Sequence, residues 1–219
     1  GAICGNLVRM IDLFIKVLMA YLLGSVSGSM VIGMLRQVDI RQSGSGNAGG
    51  TNAFRTQGFW FALGVVVIDI GKGVLAAWVI PGVELAALGS QVSVELQILC
   101  CGFAAVVGHC YPVWYGFRGG KGAATAVGAL AVIQPVVLLP MILAWLGVLT
   151  LTGWVGLATI VSALSMIPSF IWLGASNERI GFAIVLAGFI VFMHRSNIVN
   201  MFNGTENRFQ RIRFVNWFR

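Results

Sequence analysis

Hydrophilic residues in this 219-residue chain are confined to a few short, glycine-bearing segments, and almost everything between them is apolar. A run of about 20 apolar residues is the length of a helix that crosses a hydrocarbon core of about 30 Å. Only 10% of the residues are charged, against about 25% in a soluble domain. Lipid is therefore the main solvent, and the fold class is an all-α integral membrane protein. The chain reads as a single membrane-embedded domain, 1–219, with seven transmembrane helices. These run Leu13–Leu35, Phe59–Ile80, Glu95–Tyr115, 122–133, 135–151, Trp154–Leu173 and Ile180–Met193. The fourth and fifth come from one stretch, 122–152, that as a single helix would be about 46 Å long. Pro135 and Pro140 interrupt it, so it is divided by a turn near Gln134.

The net charge of +7 does not point to nucleic acid, because the cations sit in loops between spans. With the 36–58 loop inside, the inside segments hold Arg36, Arg41, Arg55, Arg118, Lys121, Arg195, Arg208, Arg211, Arg213 and Arg219. The outside segments hold only Arg9 and Arg179. That bias puts the N-terminus out and the C-terminus in. The first apolar stretch reads as a retained span: it is long for a leader and has no clear small-x-small cleavage site. Cys4, Cys100, Cys101 and Cys110 have no metal-ligand spacing and read as small hydrophobes. No metal or cofactor is expected.

Three polar cassettes fall on the inside: Ser43–Arg55, Gly108–Gly122 and His194–Arg208. Polar backbone is costly in lipid unless protein or water satisfies it, so three such segments at one interface point to a site for an anionic substrate. In cassette one, Gly44-x-Gly46-x-x-Gly49 has the form of a dinucleotide fingerprint, but it lies between membrane helices rather than after a strand. It also falls short of a phosphate loop, since Gly50 stands where lysine is needed. The shared physics still holds: glycines let N–H groups approach an anion. Ser45, Asn47, Thr51 and Asn52 add donors, and Arg55 adds a forked cation suited to phosphate.

In cassette two, Arg118-Gly119-Gly120-Lys121-Gly122 runs straight into an apolar helix. A lysine at a helix N-terminus opposes the dipole and makes sense with an anion between them, or as a topology signal. His109 reads as a hydrogen-bonded structural residue. In cassette three, His194 and Asn197 share a helix face if the seventh span continues through them; His194 is then a base or a donor that orients phosphate. The Asn203-Gly204-Thr205 sequon is unusable on the inside. Asp69 and Lys72, at i and i+3 inside the second span, are read as a mutually neutralising structural pair, although intramembrane charges default to function.

In this order the motifs resemble the PlsY family of bacterial acyl-phosphate-dependent glycerol-3-phosphate acyltransferases. The likeness is carried by Gly24-Ser25 with Gly28-Ser29, by Ser45-Gly46-Asn47-x-Gly49-x-Thr51-Asn52-x-x-Arg55, and by Asp69-x-x-Lys72-Gly73. It continues through Gly108-His109-x-x-Pro112, Gly116-Phe117-x-Gly119-Gly120-Lys121-Gly122, His194-Arg195-x-Asn197-Ile198 and Gly204-Thr205-Glu206-Asn207. It implies seven spans with the motifs on the cytoplasmic side of the inner membrane, and acyl transfer from acyl phosphate to the 1-hydroxyl of glycerol 3-phosphate, giving lysophosphatidic acid and phosphate. It implies catalytic roles for Ser45, Lys121, His194 and Asn197. Substrate contacts fall to Gly46, Asn47, Gly49, Thr51, Asn52, Arg55, Gly119, Gly120, Thr159 and Glu206. An acyl-phosphate-forming enzyme is a candidate partner. The chain departs from the family at Gly156, where serine is common, and at Ala48 and Gly50, where proline and alanine are frequent. The His-x4-Asp dyad of acyl-CoA-dependent enzymes is absent: Trp114 and Val199 stand where its aspartate would follow His109 and His194. The alternative reading is a small-anion or phosphate transporter, which would show internal repeats; the cassettes differ from one another.

Overall fold

The computed structural model describes residues 2–84 and 92–209. Arg211, Arg213, Arg219, Trp217 and Phe218 of the tail lie outside the described residues, as do the side chains of Cys4 and Arg9. Every regular element among the described residues is helical. The chain divides at Ile133/Gln134 into two compact units.

The first unit holds α1 (Ala2–Gly24), α2 (Gly28–Arg36), α3 (Gly50–Gln57), α4 (Phe59–Trp78), α5 (Val94–Cys110) and α6 (Ala123–Ile133). Two crossings organise it, α1 on α5 and α4 on α6. Both are made by glycine. A methyl on Gly24 would fall on the Ala105 carbonyl, and one on Gly108 would fall on the Tyr21 carbonyl. Gly73 and Gly128 are placed in the same way against the carbonyls of Thr125 and Ile70. In lipid, where apolar burial gives little drive, such backbone approach is what holds helices together.

The first span expected over 13–35 falls within one candidate crossing, Met10–Arg36, but its helix is interrupted part-way. Ser27 is extended, at φ −90° and ψ 122°, and separates α1 from α2. The break exposes backbone groups that α4 satisfies: Lys72 Nζ donates to the Val26 carbonyl at 2.7 Å, and Gly28 N–H donates to Asp69 Oδ1 at 3.1 Å. Cassette one, expected as a loop, contains a helix of its own, α3.

The second unit begins with a 3-10 turn over Pro135–Val137, so the stretch 122–152 does divide near Gln134. It continues with α7 (Leu138–Thr152), α8 (Val155–Trp172), α9 (Asn177–Met193) and α10 (Arg195–Phe202). Here α8 is central, packing on α7, α9 and α10. The α9–α10 pair bends by 52°.

Five stretches among the described residues are long and apolar enough to cross a membrane, and the bent pair makes a sixth. The remaining apolar helix, α6, has 11 residues and is about 16 Å long, half of a bilayer core. Side chains are distributed for lipid. Trp60, Trp78 and Trp172 are exposed, whereas Asp12, Lys16, Asp69, Lys72, Gln97 and His109 are buried. Trp60 and Trp78 sit near the two ends of α4, about 27 Å apart along it, the spacing of two interfacial belts.

Candidate active site

Cassette one is wound around one buried amide. Asn52, 1% exposed, accepts from Ser45 N–H at 2.9 Å and donates to the carbonyls of Ile40, Ser43 and Asn47 at 2.9, 3.1 and 3.0 Å. Its position on α3 explains its reach, because α3 lies against α4 with Asn52 and Ala53 on the inner face. Gly44 and Gly46 take positive φ, 61° and 70°, which lets the chain turn tightly enough to meet that amide. Asn52 is expected as a substrate donor; the hydrogen bonds it makes in the fold all lie within the loop. The surface so formed exposes Ser45, Gly46 and Arg55 and half-exposes Asn47, Gly49 and Thr51.

Cassettes one and two are tied together by Arg41. Its guanidinium is oriented by Asp39 at 2.8–3.2 Å and donates to the carbonyls of Tyr115 and Arg118 at 3.3 and 3.1 Å. Arg41 holds the Asp39 carboxyl below the usual carboxylate range, chiefly through these hydrogen bonds. From sequence, Arg41 reads only as an inside cation. The Asp39-x-Arg41 spacing was the available signal.

The 118–122 loop folds back onto the end of α5. Gly119 N–H donates to the Cys110 carbonyl at 3.2 Å, and Gly120 N–H to the His109 carbonyl at 3.1 Å. Gly119 and Gly120 are expected as substrate contacts; in the fold their N–H groups satisfy carbonyls that the helix end leaves open. A methyl on Gly120 would fall on His109 Nε2. Lys121 follows, half-buried, and Gly122 at φ 83° starts α6.

Beneath this loop lies a buried charged group. Lys72 Nζ is 3.0 Å from Asp69 Oδ1 and 2.9 Å from His109 Nδ1. An ammonium only donates, so Nδ1 accepts and the neutral ring carries its proton on Nε2. His109 Nδ1 and Asp69 Oδ1, 3.4 Å apart, are then neighbours rather than an ion pair. The expected neutralising pair is present, with the histidine added to it. A second buried pair was missed. Lys16 Nζ meets Asp12 Oδ2 at 3.3 Å, Gln97 Oε1 at 2.8 Å and the Pro81 carbonyl at 3.1 Å. Its i, i+4 spacing inside an apolar run was legible.

In the second unit, α9 ends at His194, which has φ −95° and ψ 10°. The helix is therefore not continuous through His194 and Asn197, as their sharing a face required: His194 is the junction, capping α10, and Asn197 lies within α10. His194 is 5% exposed, and its Nδ1 is 2.8 Å from the Ile190 carbonyl. A carbonyl only accepts, so Nδ1 bears a hydrogen, and when the ring is neutral Nε2 holds the lone pair. Asn197 donates to Glu206 Oε1 at 2.7 Å. Asn197 also packs against Gly156, where a Cβ would come 2.8–2.9 Å from its side chain. Thr159 donates to the Val155 carbonyl at 2.9 Å and accepts from Trp145 Nε1 at 3.2 Å, so its hydroxyl is engaged within the helices. Arg208 stacks on Trp154 at 4.4 Å, and Phe209 N–H donates to the Gly153 carbonyl.

The pattern of the glycerol-3-phosphate acyltransferase family matches residues 14–204. This chain belongs to that family. A glycerol-3-phosphate acyltransferase of Symbiobacterium thermophilum is 37% identical over 199 residues, covering 91% of this chain and 96% of that protein. One from Aquifex aeolicus is 38% identical, covering 88% and 97%. The crystal structure of PlsY (YgiH), an integral membrane glycerol 3-phosphate acyltransferase in its glycerol 3-phosphate form, superposes with a TM-score of 0.78. It is 36% identical and covers 90% of this chain and 95% of that one. Its lysophosphatidic acid form gives a TM-score of 0.77 at 35% identity. Like the family, the chain is a multi-pass membrane acyltransferase.

Proposed function

We propose that the protein transfers a fatty acyl group from acyl phosphate to the 1-hydroxyl of glycerol 3-phosphate, releasing phosphate and 1-acylglycerol 3-phosphate. The whole chain serves as one catalytic domain with seven spans, in a bacterial inner membrane, with its polar cassettes cytoplasmic and its N-terminus outside. The observation that carries this reading is the Ser43–Gly50 loop. It is preformed around Asn52 with Ser45 and Gly46 exposed, in a chain of the glycerol-3-phosphate acyltransferase family.

The hydroxyl oxygen attacks the acyl carbonyl, the C–O bond to phosphate breaks, and the proton passes to the departing phosphate or to His194 Nε2. A mixed anhydride already carries a good leaving group, so positioning and charge stabilisation suffice. Arg55 and Lys121 hold phosphate as cations. Ser45 orients phosphate beside Gly46, Asn47, Gly49 and Thr51. Asn197, oriented by Glu206, donates to the reacting centre. Gly119 and Gly120 contribute by shaping the approach to Lys121, and Thr159 by fixing α8 to α7. The apolar helices accommodate the acyl tail.

Phosphate release from palmitoyl phosphate by purified protein in detergent tests the reading. Release that depends on glycerol 3-phosphate is expected. Folded protein that binds both substrates and releases nothing would sink it, and anion flux in sealed vesicles without turnover would favour transport.

A further inference from the structure

The buried group of α4 and α5 has a task that the reaction outlined above leaves unassigned. Neutralising Asp69 requires Lys72 alone, yet Lys72 also donates to His109 Nδ1, and that ring occupies the space where a side chain on Gly120 would go. The His109 carbonyl receives Gly120 N–H, so the same residue contacts the loop through both backbone and ring. Lys121 is the next residue. Lys72 is itself pinned by the Val26 carbonyl, and Asp69 by Gly28 N–H. The chain of contacts therefore runs from the α1–α2 break through α4 and α5 to the loop that carries Lys121, all within the first unit.

We propose that His109, locked by Lys72, which Asp69 in turn holds in place, is a positioning residue for Lys121. The ring fixes the height and tilt of the 118–122 loop, and so where the Lys121 ammonium meets phosphate. This rests on the acyl-transfer reading for its consequence but not for its geometry. The chain has only three lysines, and Lys16 and Lys72 are buried. In folded protein, half-buried Lys121 is thus the most accessible of the lysine side chains to an amine reagent.

The test uses the full chain in detergent, with His109→Gln and the near-isosteric neutral pair Asp69→Asn/Lys72→Met. Melting temperature reports folding. Reductive methylation of Lys121, followed by peptide mass spectrometry, reports its setting. Phosphate release from palmitoyl phosphate reports turnover. The expected result is a melting temperature within a few degrees of the parent for at least one variant, Lys121 labelling faster by about threefold or more, and turnover lower by about tenfold or more. Combined with Lys121→Arg, the His109→Gln loss should largely disappear, because both changes act on one group. Unchanged labelling in a folded variant, or losses that multiply in the combined variant, would overturn the proposal. If the parent shows no turnover dependent on glycerol 3-phosphate, the reaction reading fails, and labelling alone still decides the positioning role.

Discussion

At the scale of single residues, the site depends on groups that never meet substrate. Asn52→Ala would leave one N–H and three carbonyls of cassette one without their partner. Orphaned buried polar groups cost about 1–3 kcal/mol each, and the loop can recover some through water. The expected loss is about 2–4 kcal/mol, seen as a lower melting temperature in detergent, with activity lost beyond what unfolding explains. Asp39 provides a pH signature. Its folded carboxyl titrates lower than an unfolded one, so its contribution is complete at neutral pH and declines only as pH falls through the lowered value. Proteolysis of the 37–49 loop should thus be flat from about pH 8 to pH 5 and rise below about pH 4. Asp39→Asn should show the faster cleavage at every pH. The sequence displayed the donors of this loop but not their allocation. Asn52 and Asn47 look alike in a string of polar residues; only burial against α4 decides that Asn52 faces inward.

At the scale of elements, glycine sets which helices cross. Gly128→Val would drive a branched side chain into the Ile70 carbonyl across the α4–α6 crossing. A backbone atom cannot rotate away, so the crossing must open, at a cost of about 3 kcal/mol or more. Poor yield of monodisperse protein, with Gly147→Val as a tolerated control because open space surrounds that residue, is the expected outcome. Gly156→Leu should push Asn197 away from α8 and lower turnover by about tenfold beyond what any fall in melting temperature explains. Equal activity would remove the Gly156–Asn197 contact from consideration. The elements themselves were largely legible, since long apolar runs and Pro135 mark their ends. Two breaks were not. The α1–α2 break at Ser27 is stabilised by side chains of α4, about forty residues away in sequence. The bend at His194 follows a turn of backbone that no local proline or glycine announces.

At the scale of the whole molecule, membrane orientation decides whether the proposed chemistry is possible. Glycerol 3-phosphate is charged and will not cross hydrocarbon, so every residue proposed to hold phosphate must open to the compartment that supplies it. Sequence speaks directly to this, because basic loops mark the cytoplasmic side whatever the folded contacts. It is silent on how 11 residues of α6 satisfy a bilayer about 30 Å thick, which depends on tilt, thinning and neighbouring helices. Single cysteines replacing Arg36, Glu84 and Arg208, in a chain whose native cysteines are changed to alanine, can be probed with a membrane-impermeant maleimide. In inverted inner-membrane vesicles, the sites at 36 and 208 should label and the site at 84 should not; in intact spheroplasts the pattern should reverse. Labelling of 36 and 208 from opposite faces would leave Arg55 and Asn197 serving different compartments. No single phosphoryl substrate could then reach both, and the proposed roles for cassettes one and three would fail together.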